Sequence, residues 1–207
     1  IHGHGNYVSW DVIKKTNSCA VIKYEHNSNA FGWPWNYQAK QSFSLKDLEC
    51  TIDLTVKNKS NINMPFGFGI HPFFNFDDEI ELKFKAEKEW IGAPEEFPIK
   101  TKFVENNFHI NDKKKLWKIQ KTVCYENFEG EIEISWVNKN KKIKINADKV
   151  FNHLIVHVPK GGKYFCIEPV SHPTDSFNLV HKKIENIKNQ FLKPNESFTG
   201  FIKIGVN

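Results

Sequence analysis

Three short runs of the sequence bring ionisable side chains together with glycine, proline and aromatic residues. They are His2-Gly3-His4-Gly5, the run from Met64 to Phe74 that contains His71, and the run from Phe165 to Pro173 that contains Glu168. Imidazole and carboxyl groups can exchange protons with a substrate near neutral pH. General acid–base catalysis is therefore the first chemistry that these runs suggest.

His71 precedes Pro72, and a proline restricts the residue before it to an extended backbone. A histidine held in this way at the end of a strand can protonate an oxygen, since its unperturbed pKa is about 6.5. A buried histidine that bonds to the backbone is the commoner case for this pattern, so His71 alone does not establish a catalytic role.

Glu168 follows an apolar run and precedes Pro169. A carboxylate on a strand that enters a core is costly unless it is paired or functional. Burial there would raise the pKa of Glu168 and make it a better base. The alternative is a glutamate at a strand end in solvent.

His2 and His4 are two residues apart, so both would face the same side of a strand. This is the spacing of a metal pair in small β-barrel metalloenzymes of the cupin type. Such a site also needs a glutamate a few residues on, and residues 6–15 contain none. We therefore expect no metal site here.

Apolar residues that alternate with polar ones predict the elements that position these groups. This alternation occurs at Ile52/Leu54/Val56, Ile80/Leu82/Phe84, Ile132/Ile134/Trp136, Ile143/Ile145 and Ile202/Ile204/Val206, and further strands are predicted at Cys19–Tyr24, Tyr37–Leu45, Leu154–Val158 and Tyr164–Ile167. One short helix is predicted at Asp175–Lys183, capped by Ser or Asp, and a long loop at Pro94–Lys118. We expect an all-β, large antiparallel β-sandwich with one domain over residues 1–207.

Composition narrows the class of protein. All 29 basic residues of the 207 are Lys, against 24 Asp+Glu, for a net charge of +5. Without arginine there is no bidentate guanine contact, so we expect no nucleic-acid partner. No apolar run approaches the roughly 20 residues of a membrane helix. The four cysteines are far apart and form no C-x-x-C pair, which favours free thiols and a cytoplasmic location.

The order of motifs resembles the aldose 1-epimerase (galactose mutarotase-like) family, and most closely its shorter bacterial branch. The motifs are H-G at His2, W-P-W-x-Y from Trp33 to Tyr37, Q-x-F-x-L from Gln41 to Leu45, L-x-V-x-N from Leu54 to Asn58, M-P-x-G-x-G-x-H-P-x-F from Met64 to Phe74, and F-C-x-E-P-V-S-H-x-x-x-x-F-N from Phe165 to Asn178. Together they cover essentially the whole chain. The resemblance implies a galactose mutarotase-like supersandwich with an open sugar-binding cleft.

The resemblance also implies the roles of individual residues. Glu168 would be the general base on the anomeric hydroxyl and His71 the general acid on the ring oxygen. His2 would help to hold the sugar, and His4 is the less favoured candidate for the same role. The reaction needs no cofactor and no metal, and the expected partner is a small sugar.

Two positions depart from the family pattern, and both would contact substrate. Thr122 lies where the family usually has an aspartate, and Lys40 lies where it often has an arginine. The sequence therefore does not predict which sugar is preferred. The family is also longer at its N-terminus, so we expect the first strands of the sandwich to be missing. A hexose-6-phosphate 1-epimerase and a non-catalytic carbohydrate-binding module remain alternatives to a free-aldose epimerase.

Overall fold

A computed structural model describes residues 2–76, 80–92, 98–104, 108–110, 121–182 and 190–206. Its contacts divide the chain into two compact units. Unit 1 comprises Ile1–Phe66 and Gln190–Ile202, and unit 2 comprises Gly67–Asn189 and Lys203–Asn207. In the ranges described, no helix is long and apolar enough to span a membrane.

Unit 1 is antiparallel. It contains β1 (Asp11–Lys15), β2 (Cys19–His26), β3 (Tyr37–Lys46), β4 (Glu49–Asn58), β5 (Met64–Phe66), β16 (Gln190–Leu192), the first part of β17 (Ser197–Val206) and a 3₁₀ turn at Ala30–Gly32. β1 pairs with β2, β2 with β3 and β3 with β4, and β16 pairs with β5. Asn58 at the end of β4 is 0% exposed, and its amide Nδ2 donates to the carbonyls of Ile62 and Leu192. This buried side chain joins β4 to β16.

Unit 2 contains two antiparallel sheets. One has the order β13–β12–β7–β10 and the other β6–β15–β14–β11–β8–β9. The strands are β6 (Phe73–Asn75), β7 (Ile80–Phe84), β8 (Lys88–Gly92), β9 (Pro98–Phe103), β10 (Phe108–Ile110), β11 (Thr122–Glu126), β12 (Glu131–Trp136), β13 (Lys141–Ala147), β14 (His153–His157) and β15 (Tyr164–Val170). A short helix, α1 (Ser176–His181), follows β15, and a 3₁₀ turn follows β12 at Val137–Lys139.

The core of unit 2 lies between its two sheets. Phe84 of β7 packs against Tyr125 of β11 with ring centroids 5.0 Å apart, and Phe74 of β6 packs against Trp136 of β12 at 6.3 Å. The alternating residues Ile80, Leu82, Ile132 and Ile134 are at most 3% exposed. Their polar neighbours face outward, as the period of two predicts.

The predicted all-β antiparallel class is confirmed, and so are the predicted strands. The loop prediction for Pro94–Lys118 is wrong where β9 and β10 form, while residues 94–97, 105–107 and 111–118 lie outside the described part. β9 is the last described strand of its sheet. Ile99 and Phe103 alternate with Lys100 and Lys102, but Thr101 interrupts the apolar series, so the pattern is short and weak.

The helix forms inside the predicted range at Ser176–His181, and residue 183 lies outside the described part. Asp175 is the N-cap residue, as predicted, but it adopts a left-handed conformation (φ 61°) and its side chain makes no cap bond. The number of domains stays a prediction.

Candidate active site

The glycine-rich segment before His71 runs antiparallel to the end of β15 and thereby positions His71. The backbone N–H of Phe68 donates to Ser171 Oγ over 3.0 Å, and the N–H of Ser171 donates back to the carbonyl of Phe68 over 2.9 Å. One step further along, the N–H of Ile70 donates to the carbonyl of Pro169 over 3.3 Å. These bonds position His71 next to the strand that contains Glu168.

Two glycines allow this close approach. A Cβ on Gly69 would lie 2.5 Å from Val170 Cγ1 and 2.7 Å from the carbonyl oxygen of Pro169. A Cβ on Gly67 would lie 2.3 Å from Nδ1 of His172. The spacing of the glycines in the sequence is therefore explained by two tight contacts, since no side chain larger than hydrogen fits at either place.

His71 and Glu168 lie side by side in unit 2. The distance between His71 Nε2 and Glu168 Oε1 is 3.4 Å, and the side chains are 34% and 6% exposed, respectively. The His71 ring stacks on Phe73 with centroids 4.8 Å apart and planes 10° apart. Burial raises the pKa of Glu168 from its ordinary 4.5 to about 7. The pair therefore places a half-exposed imidazole, oriented by stacking, beside a carboxyl group whose pKa suits a base at neutral pH.

The Glu168 side chain lies on the face of its sheet that points away from the core between the two sheets. Cross-strand partners in an antiparallel sheet share a face, and Glu168 is paired with Ile155, which is paired with Cys124. The next row on this face crosses four strands and consists of Phe73, Cys166, His157 and Thr122. The opposite face of the same strands supplies the buried Phe165, Ile167, Leu154, Val156, Val123 and Tyr125.

Three groups of this face lie close enough to ligate one ion. Ligand atoms of His71, Cys166 and Glu168 all lie within 4.8 Å of one another. Nitrogen, thiolate and carboxylate are the ligands that Zn²⁺ takes in proteins. Burial, with a smaller effect from Glu168, raises the pKa of the Cys166 thiol to about 12, so a metal would have to displace its proton.

The other expected substrate-binding residues divide between the two units. Thr122 shares the sheet face of Glu168 in unit 2, with its hydroxyl oxygen 2.8 Å from Nδ1 of His157. His2 and Lys40 belong to unit 1, and both are exposed. His4 is also in unit 1.

His4 is part of an aromatic cluster in unit 1. Its ring stacks on His26 at 4.5 Å and on Phe31 at 5.4 Å, and its Nε2 bonds to the hydroxyl of Tyr37. Burial and the nearby His26 lower the pKa of His4. These contacts give His4 a packing role in the N-terminal segment.

The sequence analysis missed His157 and Cys166 as members of the candidate site. The signal was present, because His153, Ile155 and His157 alternate with the buried Leu154 and Val156 along β14. This face is not uniformly open, since Ile155 packs against the buried Trp90, Cys124 and Leu179, whereas His157 is half-buried.

Comparisons with known proteins agree with this architecture. A galactose mutarotase-like protein from Clostridium acetobutylicum has a TM-score of 0.82 at 20% identity, covering 100% of this chain and 69% of that one. The galactose 1-epimerase from Lactobacillus acidophilus has a TM-score of 0.72 at 13% identity, covering 96% and 66%. Both likenesses show the galactose mutarotase-like β-sandwich fold.

Sequence comparison gives the family. The uncharacterized protein YphB of Escherichia coli K12 is 24% identical over 216 residues, which cover 100% of this chain and 71% of YphB. The family model described as Aldose 1-epimerase matches residues 1–205. Since that match extends over nearly the whole sequence, the chain belongs to the aldose 1-epimerase family.

Proposed function

We propose that this protein is an aldose 1-epimerase that interconverts the α and β anomers of a free aldose such as galactose or glucose. The observation that carries the proposal is the 3.4 Å distance between His71 Nε2 and Glu168 Oε1. Both oxygens that exchange protons in this reaction, O1 and O5, are bonded to the same carbon. An acid and a base that serve them together must therefore lie within a few ångströms of each other.

The proposed reaction begins with ring opening. Glu168 accepts the proton of the C1 hydroxyl while His71 donates a proton to O5, so that the C1–O5 bond breaks and C1 becomes an aldehyde. The carbonyl group then rotates about the C1–C2 bond. In reclosure, the O5 hydroxyl attacks the other face of C1, His71 recovers its proton from O5, and Glu168 returns its proton to O1. Both side chains end in their starting protonation states.

The surroundings of the pair support these roles. A carboxylate whose pKa is about 7 is a stronger base than an exposed glutamate and is still substantially ionised near neutral pH. Stacking on Phe73 holds the imidazole of His71 in one orientation. A positioned acid or base contributes about 10²- to 10⁴-fold, which suits a reaction that already proceeds slowly in water.

Polarimetry tests the proposal. Fresh solutions of α-glucose and α-galactose should lose their excess optical rotation faster with the protein than without it, and Glu168→Gln should abolish the difference. Glucose 6-phosphate is the comparison substrate, since a preference for it would favour the phosphorylated-hexose alternative. Sugar binding without any acceleration would show instead that the protein is a binding module.

A further inference from the structure

We propose that His157 is a substrate-binding residue, and that it forms with Thr122 a polar subsite for one ring hydroxyl of the sugar. The inference rests on the proposed function, because it places this hydroxyl on a sugar whose C1 is held at Glu168. It assigns the subsite to a polar pair on the sheet face opposite to the core.

Strand register places the pair at a suitable distance from the reacting carbon. Glu168 is directly opposite Ile155, and His157 is two residues further along β14. Diagonal neighbours of this kind lie about 7–8 Å apart. A pyranose that occupies the face with C1 beside Glu168 would therefore bring its far hydroxyls to His157 rather than to the catalytic pair.

The chemistry of the pair suits a hydroxyl group. His157 Nδ1 and Thr122 Oγ1 are 2.8 Å apart, so the bond between them uses one ring nitrogen and leaves Nε2 for a ligand. If threonine donates to Nδ1, Nε2–H is a donor and the threonine oxygen is an acceptor; in the other tautomer these roles are exchanged. In both cases the pair offers one donor and one acceptor, and a sugar hydroxyl needs one of each.

The subsite differs chemically from a carboxylate at the same place. An ionised aspartate accepts hydrogen bonds only, whereas the pair can both donate and accept. His157 is half-buried, and among the described residues Thr122 is the hydrogen-bond partner of its ring. Its Nε2 is therefore placed to bond to a ligand. We expect discrimination against an aldose that lacks this one hydroxyl.

The test measures kcat and KM of mutarotation for Thr122→Val, His157→Phe, the variant that combines them, and His157→Gln. Thr122→Val and His157→Phe each remove the polar group and keep its bulk, and each should raise KM about two- to tenfold with kcat changed less than twofold. The two effects should combine to less than their product, because the residues share one bond. His157→Gln keeps a polar atom near the position of Nε2 and should recover most of the affinity. His181→Asn, at an exposed histidine on α1, is the matched control and should change nothing.

A panel of monodeoxy aldoses then locates the hydroxyl. The parent should bind one deoxy sugar more weakly than glucose, and His157→Phe should bind glucose and that deoxy sugar equally well. The inference is overturned if the deoxy penalty is the same in parent and variant, or if the variants lower kcat and leave KM unchanged.

Calorimetric titration separates failure of this inference from failure of the proposed function. If the parent binds glucose or galactose without accelerating mutarotation, the proposed function fails, and a loss of affinity in His157→Phe still supports the subsite. If the parent accelerates mutarotation and the variant binds as well as the parent, only the subsite fails. If the parent binds no aldose, both fail.

Discussion

Replacing Glu168 by Gln removes a buried carboxylate, and we expect it to abolish catalysis and to stabilise the fold. Burial raises the pKa of Glu168 from 4.5 to about 7, which means that the folded protein holds the neutral acid more readily than the unfolded chain does. One unit of pKa corresponds to about 1.4 kcal/mol. Ionising Glu168 therefore costs the folded state about 3 kcal/mol.

The direction of the pH dependence follows from proton binding. Between pH 4.5 and about 7 the folded state retains a proton that the unfolded state has released, so the free energy of unfolding falls as the pH rises. Below this window both states are protonated and the cost is absent; above it both are ionised and the cost is complete. Glutamine does not ionise, so Glu168→Gln should be about 3 kcal/mol more stable than the parent at pH 8 and nearly equal to it at pH 4.5.

Urea unfolding followed by tryptophan fluorescence, at several pH values from 4.5 to 8.5, measures this difference. Polarimetry on the same samples at pH 8 should show a rate lowered by about 10²- to 10⁴-fold. Glu129→Gln is the matched control, because the Glu129 side chain is 63% exposed, and its stability should follow that of the parent at every pH. A stability difference that does not vary with pH, or a Gln variant that is less stable at pH 8, would refute the burial argument. An unchanged rate would refute the assignment of the base.

Three further outcomes follow from the same site. His71→Asn should lower kcat by about 10²- to 10⁴-fold with little change in KM, measured by polarimetry, because it removes the proton donor to O5; a change confined to KM would contradict this role. Gly69→Ala should cost about 1–3 kcal/mol in urea unfolding and lower kcat, since its Cβ would lie 2.5 Å from Val170 Cγ1; a fully stable and active variant would show that the strand contact does not position His71. Zn²⁺ should inhibit competitively with sugar and be reversed by a chelator, because ligand atoms of His71, Cys166 and Glu168 lie within 4.8 Å of one another; equal inhibition of Cys166→Ser would exclude the thiol from the site.

Periodicity predicted strands such as β7 and β12 because each has one buried face. Ile80, Leu82 and Phe84 are at most 4% exposed, and the charged residues between them face outward. Periodicity missed the interior strands β8 and β11; in β11, Val123, Cys124 and Tyr125 are all buried, so apolar and polar residues do not alternate. β9 escaped prediction because it lies at the end of its sheet, where an apolar face is not required. A pattern of apolar residues detects burial, and an edge strand can form by backbone pairing alone.

The candidate site was accessible to sequence analysis only in part. His71 and Glu168 could be singled out from their apolar surroundings, and the family resemblance added their expected roles. Their 3.4 Å separation depends on the pairing of Gly69 with Val170 and on strand register, neither of which local sequence encodes. His157 was overlooked because a histidine at the end of an apolar strand also fits an ordinary core.

The alternation along β15 also determines how this protein can change by mutation. In seven residues, Phe165 and Ile167 pack into the core while Cys166 and Glu168 face the candidate site. A point substitution at an even-numbered position can alter ligand chemistry while the core packing is preserved. An insertion of one residue would exchange the two faces and destroy both. New ligand preferences are therefore best sought in libraries that vary alternate positions of β11, β14 and β15 and keep strand lengths fixed.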